Sequence, residues 1–230
     1  MSSVATRKKN VLPLHLEVQG ETELSGFLKV SGAKNSSLAL MAAALLTREK
    51  LFIENVPNLT DIDVMSNILR TLGAKLTKGS KNLEIHASDI FNAELPHQLV
   101  NSLRASFFCI GPLLTRLGEA KIPLPGGCNI GARPVDEHIN GLKALGANVE
   151  INNDVVTAKI ANQNKRLKGA KITLNFPSVG ATETILMASC LASGTTTIFN
   201  AAKEPEIQDL AEMLNSMGAI IKGAGTERIS

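Results

Sequence analysis

The sequence predicts an α/β domain built from three similar repeats, with apolar helices at the centre and β-sheets outside them. Three segments indicate the repeat, because "VMSNILRTLGAKL", "EHINGLKALGANVEI" and "LAEMLNSMGAII" place Gly73, Gly146 and Gly218 about 72 residues apart. The apolar runs "LALMAAALL" and "ILMASCLA" have almost no polar face, which is typical of helices that are buried on all sides. Helices surrounded by sheets reverse the usual order of layers, so we expect an inside-out α/β domain.

Each repeat is expected to end as a helix, a Gly-Ala turn and a strand. In the first copy Met65, Ile68, Leu69 and Leu72 recur at helical spacing. Gly73 then follows, and a glycine can adopt the left-handed conformation that ends a helix. The residues after the Gly-Ala pair favour a strand in all three copies.

The similarity between the copies extends upstream of these glycines. "KNSSLALMAAALLTREKLFIENVPNLTDID" and "ATETILMASCLASGTTTIFNAAKEPEIQD" both predict an apolar helix, a short strand, a loop with a proline and an acidic start to the next helix. The middle copy has the helix "LRASFFCIGPLLTRLG" and the strand "EAKIPLP". We therefore predict three pseudo-symmetric βαβαββ-like repeats over about residues 32–100, 101–174 and 175–224.

The N-terminal residues lie outside these repeats. Residues 1–10 are predicted to be a disordered tail, and the alternative is a transit peptide. Residues 11–31 contain two alternating runs around a Gly-Glu turn, which predict a β-hairpin. This hairpin has no counterpart within the three copies.

Composition excludes several classes of function. The net charge of +3, from 24 basic and 21 acidic residues, and the 3% aromatic content argue against a nucleic-acid partner. No stretch approaches the roughly 20 apolar residues of a membrane span, so no membrane partner is expected. The 3 cysteines are widely separated and do not form a disulfide pattern, which favours a reducing cytoplasm.

Neither a metal nor a cofactor is predicted. The cysteines and the histidines, His15, His86, His97 and His138, lack the close ligand spacing of a zinc site. The glycine-rich segments match neither the P-loop pattern nor the dinucleotide-binding pattern.

The loop after the middle strand differs most between the copies. "ENVPNLTDID" and "NAAKEPEIQD" in the outer copies correspond to "PGGCNIGARPVDEH", which contains Cys128 and Arg133. Its glycines predict an exposed, movable loop, and an arginine nearby favours the thiolate form of the cysteine. The alternative is an unremarkable surface cysteine. Cys109 and Cys190 lie in apolar helical runs and are expected to pack as small hydrophobic residues.

The starts of the repeats supply a second group of candidates. "SGAKNSS" places Lys34 and Asn35 where a strand gives way to a helix, and "NSLRASF" places Arg104 at the equivalent point of the middle copy. The third copy has "SVGATE" there, with a serine hydroxyl and glycine backbone. Helix N-termini and cations at equivalent positions suggest one shared anionic ligand. The alternative is that these charged side chains are only solvated or interact with helix ends.

Together, "SGAKN", "LRASF", "PGGCNIGARPVDEHI", "SVGATE" and "AAKEPEI" resemble the UDP-N-acetylglucosamine 1-carboxyvinyltransferase family of enolpyruvyl transferases. The resemblance runs from about residue 14 to the C-terminus and corresponds to roughly the N-terminal half of such an enzyme. It implies the fold of that family, an α/β domain with buried helices and sheets outside.

The resemblance also implies an activity. Members of the family transfer the enolpyruvyl group of phosphoenolpyruvate to the 3′-hydroxyl of UDP-N-acetylglucosamine and release phosphate, through addition and then elimination. This is the first committed step of peptidoglycan synthesis, which links it to cell-wall biogenesis, cell shape and cell division. The family is also the target of fosfomycin.

By matching motifs, the resemblance implies which residues form the site. Cys128 corresponds to the catalytic loop cysteine, which acts as general acid, forms an adduct with phosphoenolpyruvate or assists product release. The residues implied to hold phosphoenolpyruvate are Lys34, Asn35, Arg104 and Arg133. The residues implied to contact the UDP-sugar are Arg104, Arg133, Pro134, Val135, Asp136, His138, Ser178, Val179 and Gly180.

Members of this family have two similar domains, and the resemblance covers one of them. It implies that residues 11–31 join the second domain, that 32–224 form the cysteine-loop domain and that 225–230 begin the crossover. The second domain, in cis or in trans, would supply the base and a further arginine, so we expect the chain alone to be little active. The alternatives are a non-catalytic UDP-sugar-binding half-protein and an enzyme like 5-enolpyruvylshikimate-3-phosphate synthase.

Overall fold

The structure is a computed structural model that describes residues 16–125, 135–161 and 166–230. It divides into two units, Met1–Val30 and Ser31–Ser230. All helices and strands given below belong to the second unit. Among the described residues, none of the helices is both long and apolar enough to cross a membrane.

The first two repeats share one order of elements. The first contains α1 (Lys34–Ala43), β1 (Lys50–Glu54), α2 (Thr60–Leu72), β2 (Lys75–Lys78) and β3 (Asn82–His86). A short helix, α3 (His97–Ser102), connects to the second repeat. That repeat begins with a 3-10 segment (Arg104–Cys109) and continues with α4 (Ile110–Leu117), β4 (Glu119–Pro123), α5 (Asp136–Ala144), β5 (Ala147–Asn152) and β6 (Val155–Ile160).

The third repeat contains β7 (Lys171–Thr173), α6 (Val179–Ser189), β8 (Thr197–Phe199), α7 (Pro205–Ser216) and β9 (Arg228–Ile229). Each repeat forms its own three-stranded sheet, with the strand orders β1-β3-β2, β4-β6-β5 and β7-β8-β9. The first two sheets are antiparallel throughout, whereas β7 pairs parallel to β8. The three sheets confirm a threefold repeat, whereas β7 and β9 lie outside residues 175–224, the bounds predicted for the third copy.

Buried helices form the centre of this unit, as the apolar runs predict. All residues of α6 from Ala181 to Ala188 are buried, and so is most of α1. The central helix α6 packs against α4, α5 and α7. Gly111 allows α4 to pack closely on α6, because a Cβ there would lie 2.9 Å from the carbonyl oxygen of Thr184 in α6. Gly141 allows α5 to do the same, because a Cβ there would clash with the side chain of Ile185 in α6.

The three repeat glycines end their helices in the predicted conformation. Gly73, Gly146 and Gly218 have φ values of 109°, 93° and 103°, which a residue with a side chain rarely adopts. After Gly73 and Gly146 the chain enters β2 and β5 directly. The turn chemistry of the repeat was therefore correctly predicted from the sequence.

The strand predicted after Gly218 is only partly formed. The Asn215 side chain bonds both the N–H and the C=O of Ile221, at 2.7 and 3.0 Å, so these groups are already occupied. Pairing begins one residue later, where Lys222 and Ser230 exchange backbone hydrogen bonds of 2.8 and 3.0 Å. A side chain therefore replaces the start of this β-ladder.

Two other expectations differ from the structure. Within the described residues 16–30 no strand is assigned, so this part of the predicted hairpin is not formed. A two-stranded hairpin is marginal without a buried face, and Leu24, Phe27 and Leu28 are all exposed. The helix predicted over "LRASFFCIGPLLTRLG" also begins as a 3-10 segment and becomes α-helical only at Ile110.

Arg116 connects the first two repeats. Its guanidinium donates to the carbonyl oxygens of Leu45 at 2.7 Å, Thr47 at 2.8 Å and Ala87 at 3.2 Å. These carbonyls follow α1 and β3, whereas Arg116 lies in the last turn of α4. One side chain therefore satisfies three backbone groups of the neighbouring repeat.

We expect Arg116→Met to destabilise the protein by about 1–3 kcal/mol, because the substitution leaves half-buried carbonyls without donors. Urea unfolding followed by circular dichroism measures this change. Arg70→Met is the matched control, since Arg70 is exposed and bonds only to Asn67 of its own helix in the described structure. Equal unfolding midpoints for the two variants would contradict the role of Arg116.

Candidate active site

The N-terminal ends of helices from all three repeats meet at one cavity of about 790 Å³. Lys34 and Asn35 come from the start of α1, Arg104 from the 3-10 segment, and Ser178 and Gly180 from the start of α6. Free backbone N–H groups and the positive ends of helix dipoles are therefore directed to the same side of the domain. Such an arrangement favours an anionic ligand.

Lys34 and Asn35 are held by acidic residues. The Lys34 ammonium lies 2.8 Å from a carboxylate oxygen of Asp61 at the start of α2. The Asn35 side chain donates to Glu206 in the first turn of α7, at 3.2 Å. Both polar groups at the start of α1 therefore have defined positions at the cavity wall.

Ser178 caps the central helix. Its hydroxyl accepts a hydrogen bond from the N–H of Ala181 at 3.3 Å, which satisfies one of the free donors at the start of α6. Gly180 leaves room for a neighbour, because a Cβ there would lie 3.0 Å from the His138 ring. The predicted segment Ser178–Gly180 thus borders the cavity at the end of the most buried helix.

The start of α5 supports the start of α6. Glu137 is buried and accepts hydrogen bonds from the backbone N–H of Asn175 at 2.9 Å and from its side chain at 2.6 Å. Asn175 lies three residues before Ser178, so this contact fixes the segment that leads into α6. Val135 and His138 line the cavity, whereas Asp136 is exposed and does not.

His138 is buried beside the cavity. Its Nδ1 lies 2.9 Å from the hydroxyl of Thr184, and the Phe107 ring packs edge-on at 5.1 Å between ring centres. Burial and the charge of Arg104 lower the pKa of His138 to about 4. The ring is therefore neutral at physiological pH, where it can exchange a hydrogen bond but carries no charge.

The residue-based expectations also missed an acidic group. Asp61, Glu183 and Glu206 line the cavity together with the cations. One sequence signal was available, because the glutamate of "SVGATE" is the only charged residue in the helical segment "VGATETILMAS". A charge in a helix that is otherwise buried is a candidate for a functional group.

Three of the predicted site residues cannot be compared with the described cavity. Cys128, Arg133 and Pro134 lie outside the described residues. Cys109 and Cys190 are free thiols, the first buried and the second partly buried, as predicted for packed cysteines. Burial raises the pKa of Cys109 to about 12 and that of Cys190 to about 11, so neither is an activated nucleophile.

Comparison with known proteins places this chain in a protein family. Residues 18–230 match the family described as EPSP synthase (3-phosphoshikimate 1-carboxyvinyltransferase). A UDP-N-acetylglucosamine 1-carboxyvinyltransferase of Prochlorococcus marinus strain NATL1A is 76% identical over 230 residues, which is 100% of this chain and 50% of that protein. A protein of the same name from strain MIT 9313 is 59% identical over 225 residues, 98% of this chain and 52% of the relative.

Solved structures share the fold. The enolpyruvyl transferase NikO from Streptomyces tendae superposes with a TM-score of 0.75 at 25% identity, covering 91% of this chain and 48% of that one. An EPSP synthase from Acinetobacter baumannii gives a TM-score of 0.68 at 19% identity, over 89% and 46% of the two chains. The chain thus spans about half the length of the curated relatives it matches.

The pKa of His138 predicts how stability depends on pH. Between about pH 6.5 and 4 the unfolded chain binds a proton at this residue and the folded chain does not. The free energy of unfolding should therefore fall on acidification by up to about 1.4 kcal/mol per pH unit, and less steeply in His138→Gln. Urea unfolding at a series of pH values measures the slope, and His97→Gln, which removes an exposed histidine, is the control. Parallel slopes for wild type and His138→Gln would contradict the burial of an uncharged ring.

Proposed function

The chain belongs to the EPSP synthase family, and we propose that it forms the phosphoenolpyruvate- and UDP-N-acetylglucosamine-binding half of an enolpyruvyl transferase. The observation that carries this proposal is the convergence of Lys34, Asn35 and Arg104 with the start of α6 on one cavity. The names of the highly identical relatives favour UDP-N-acetylglucosamine over shikimate 3-phosphate as the acceptor.

The proposed reaction joins the sugar 3′-oxygen to C2 of phosphoenolpyruvate. The hydroxyl loses a proton to a base while the methylene carbon gains one, which gives a tetrahedral intermediate. Elimination then removes a proton from the new methyl group and breaks the bond between C2 and the phosphate oxygen. The products are the enolpyruvyl ether and inorganic phosphate, so the reaction needs neither an oxidant nor a reductant.

Phosphoenolpyruvate carries a phosphate and a carboxylate, and the cavity offers cations suited to both. Lys34 is a point charge at the start of α1, and Arg104 presents a planar guanidinium from the next repeat. Charge-assisted hydrogen bonds of this kind are about twice as strong as neutral ones. We propose that Arg133, which follows Cys128 by five residues, adds a further cation.

We propose that the UDP-sugar binds along the starts of α5 and α6. Val135, His138 and Ser178–Gly180 border the cavity there, and the neutral His138 ring and the free N–H groups of α6 suit a diphosphate or a uracil carbonyl. Arg133, Pro134 and the exposed Asp136 would extend this surface beyond the cavity. Asn35 would orient the sugar and the intermediate.

We propose that Cys128 protonates the methylene carbon or forms an adduct with phosphoenolpyruvate, and that a second domain supplies the base for the sugar hydroxyl. The support is the resemblance of "PGGCNIGARPVDEH" to the family loop and the coverage of only about half of each relative. The free cysteines among the described residues agree with a reducing cytoplasm, where we place the reaction as the first committed step of peptidoglycan synthesis. This placement connects the chain to cell-wall growth, cell shape and cell division.

Binding of UDP-N-acetylglucosamine tests the proposal. We expect calorimetry to detect binding to the wild-type chain and Arg104→Met to weaken it about tenfold or more, because a charged hydrogen bond contributes about 1.5–3 kcal/mol. Arg70→Met removes an exposed arginine from α2 and should leave the affinity unchanged. Binding of shikimate 3-phosphate in place of the UDP-sugar would favour the other activity of the family and contradict the proposal.

Fosfomycin tests the role of Cys128. We expect it to alkylate Cys128 and to spare Cys109 and Cys190, because burial raises the pKa of both other thiols. Mass spectrometry of digested protein locates the adduct, and Cys128→Ser should remain unlabelled. Equal labelling of the three cysteines under native conditions would contradict the proposal. Unchanged function in Cys128→Ser would instead support the alternative that the chain is a non-catalytic binding protein.

A further inference from the structure

Glu183 is a buried carboxyl group at the cavity whose function is unassigned. It lies in the second turn of α6 and is 1% exposed, yet it belongs to the cavity wall. Its Oε2 atom has no hydrogen-bond partner among the described residues. A buried carboxylate without a partner is costly, so the group is expected to hold a proton or to await a ligand.

The surroundings of Glu183 oppose a negative charge. Glu204 and Glu206, at the start of α7, lie close enough to act on it electrostatically. Thr182 holds that segment in place, because its hydroxyl accepts a hydrogen bond from the N–H of Ala202 at 3.1 Å. Burial and these two carboxylates raise the pKa of Glu183 to about 8.

The positive charges at the cavity do not offset the rise in the pKa of Glu183. Helix α6 is packed against α4, α5, α7 and the 3-10 segment. Among the titratable residues on α4 and α5, Arg116 bonds backbone carbonyls of the first repeat, Glu137 accepts hydrogen bonds from Asn175, and the His138 ring is neutral. The other two, Asp136 and Lys143, are exposed. Arg104 of the 3-10 segment and Lys34 of α1 also border the cavity, and Lys34 is paired with Asp61.

An anion in this cavity would meet three acidic side chains. The charge of Asp61 is balanced by Lys34, and Glu206 accepts a hydrogen bond from Asn35. The Oε2 atom of Glu183 has no hydrogen-bond partner among the described residues, and an ionised Glu183 would repel the anion that the helix ends attract. A protonated carboxyl removes that repulsion and supplies a donor.

We propose that Glu183 remains protonated in the working site and donates a hydrogen bond from its carboxyl group to a phosphate or carboxylate oxygen of the bound ligand. This inference rests on the anion site of the proposed function and adds a residue to it. Ionisation of Glu183 replaces an O–H donor with a negative charge, so anion binding and the proton on Glu183 support each other.

The test uses the full 230-residue chain and inorganic sulfate, which accepts hydrogen bonds and keeps its charge over the whole pH range studied. Carbon-13 NMR of labelled glutamate carboxyl groups follows each titration. We expect one carboxyl with a midpoint near pH 8, absent from Glu183→Gln and raised further by saturating sulfate at constant ionic strength. In Glu206→Gln the same carboxyl should titrate at lower pH, because a neighbouring negative charge has been removed.

The affinity for sulfate provides the second measurement. Above its midpoint the wild type should lose up to about tenfold in affinity per pH unit, whereas Glu183→Gln, whose amide donates at any pH, should not. The inference is overturned if every glutamate titrates below about pH 6, if sulfate leaves the Glu183 midpoint unchanged, or if sulfate binds at no pH. If sulfate shifts the midpoint but UDP-N-acetylglucosamine does not bind, the proposed function fails and the inference stands.

Discussion

The burial of whole helices inside three small sheets is the constraint on which the rest of the structure depends. A helix at the centre of the domain has no water to satisfy the N–H groups of its first turn, so those groups must open onto a cavity or be capped. Because α1, the 3-10 segment before α4, and α6 hold equivalent positions in the three repeats, their starts lie at the same cavity. Gly111 keeps α4 close to α6, and the Arg116 guanidinium joins the first two repeats. The proposed anion site is therefore a consequence of how the core is built.

Acidic side chains at this cavity hold Lys34 and Asn35 in place before a ligand binds. Lys34 is paired with Asp61, and Asn35 is bonded to Glu206, so neither side chain needs to be ordered by the ligand itself. Exposed pairs of this kind contribute little to stability, which makes their exchange for a phosphate or carboxylate inexpensive. Glu183 and His138 differ from them, because both are buried and both are held in their uncharged forms. Neutral buried groups beside exchangeable surface pairs suit the proposed anion site.

Much of the fold could be predicted because it is repeated. The glycines after α2, α5 and α7 all adopt a positive φ, and the sequence shows the same Gly-Ala pattern at all three positions. Lys34, Arg104 and Ser178 were located from the same comparison of repeat starts. Features that depend on one side chain were missed. The Asn215 side chain replaces part of a strand, and Asp136 is exposed and does not line the cavity. Glu183 was overlooked although it is the only charged residue of a buried helix. The residues 16–30 illustrate the same limit, since alternation of apolar residues indicates a strand but not what it pairs with.

The central claim is that the starts of buried helices form one anion-binding cavity. Backbone amide NMR of the chain during addition of phosphoenolpyruvate tests it most directly, because each N–H reports its own surroundings. We expect the largest shifts at Asn35, Val179 and Gly180, where the first turns of α1 and α6 meet the cavity. Shifts concentrated around Gly218 and Ile220, which border a separate cavity at the other end of α6, would contradict the account.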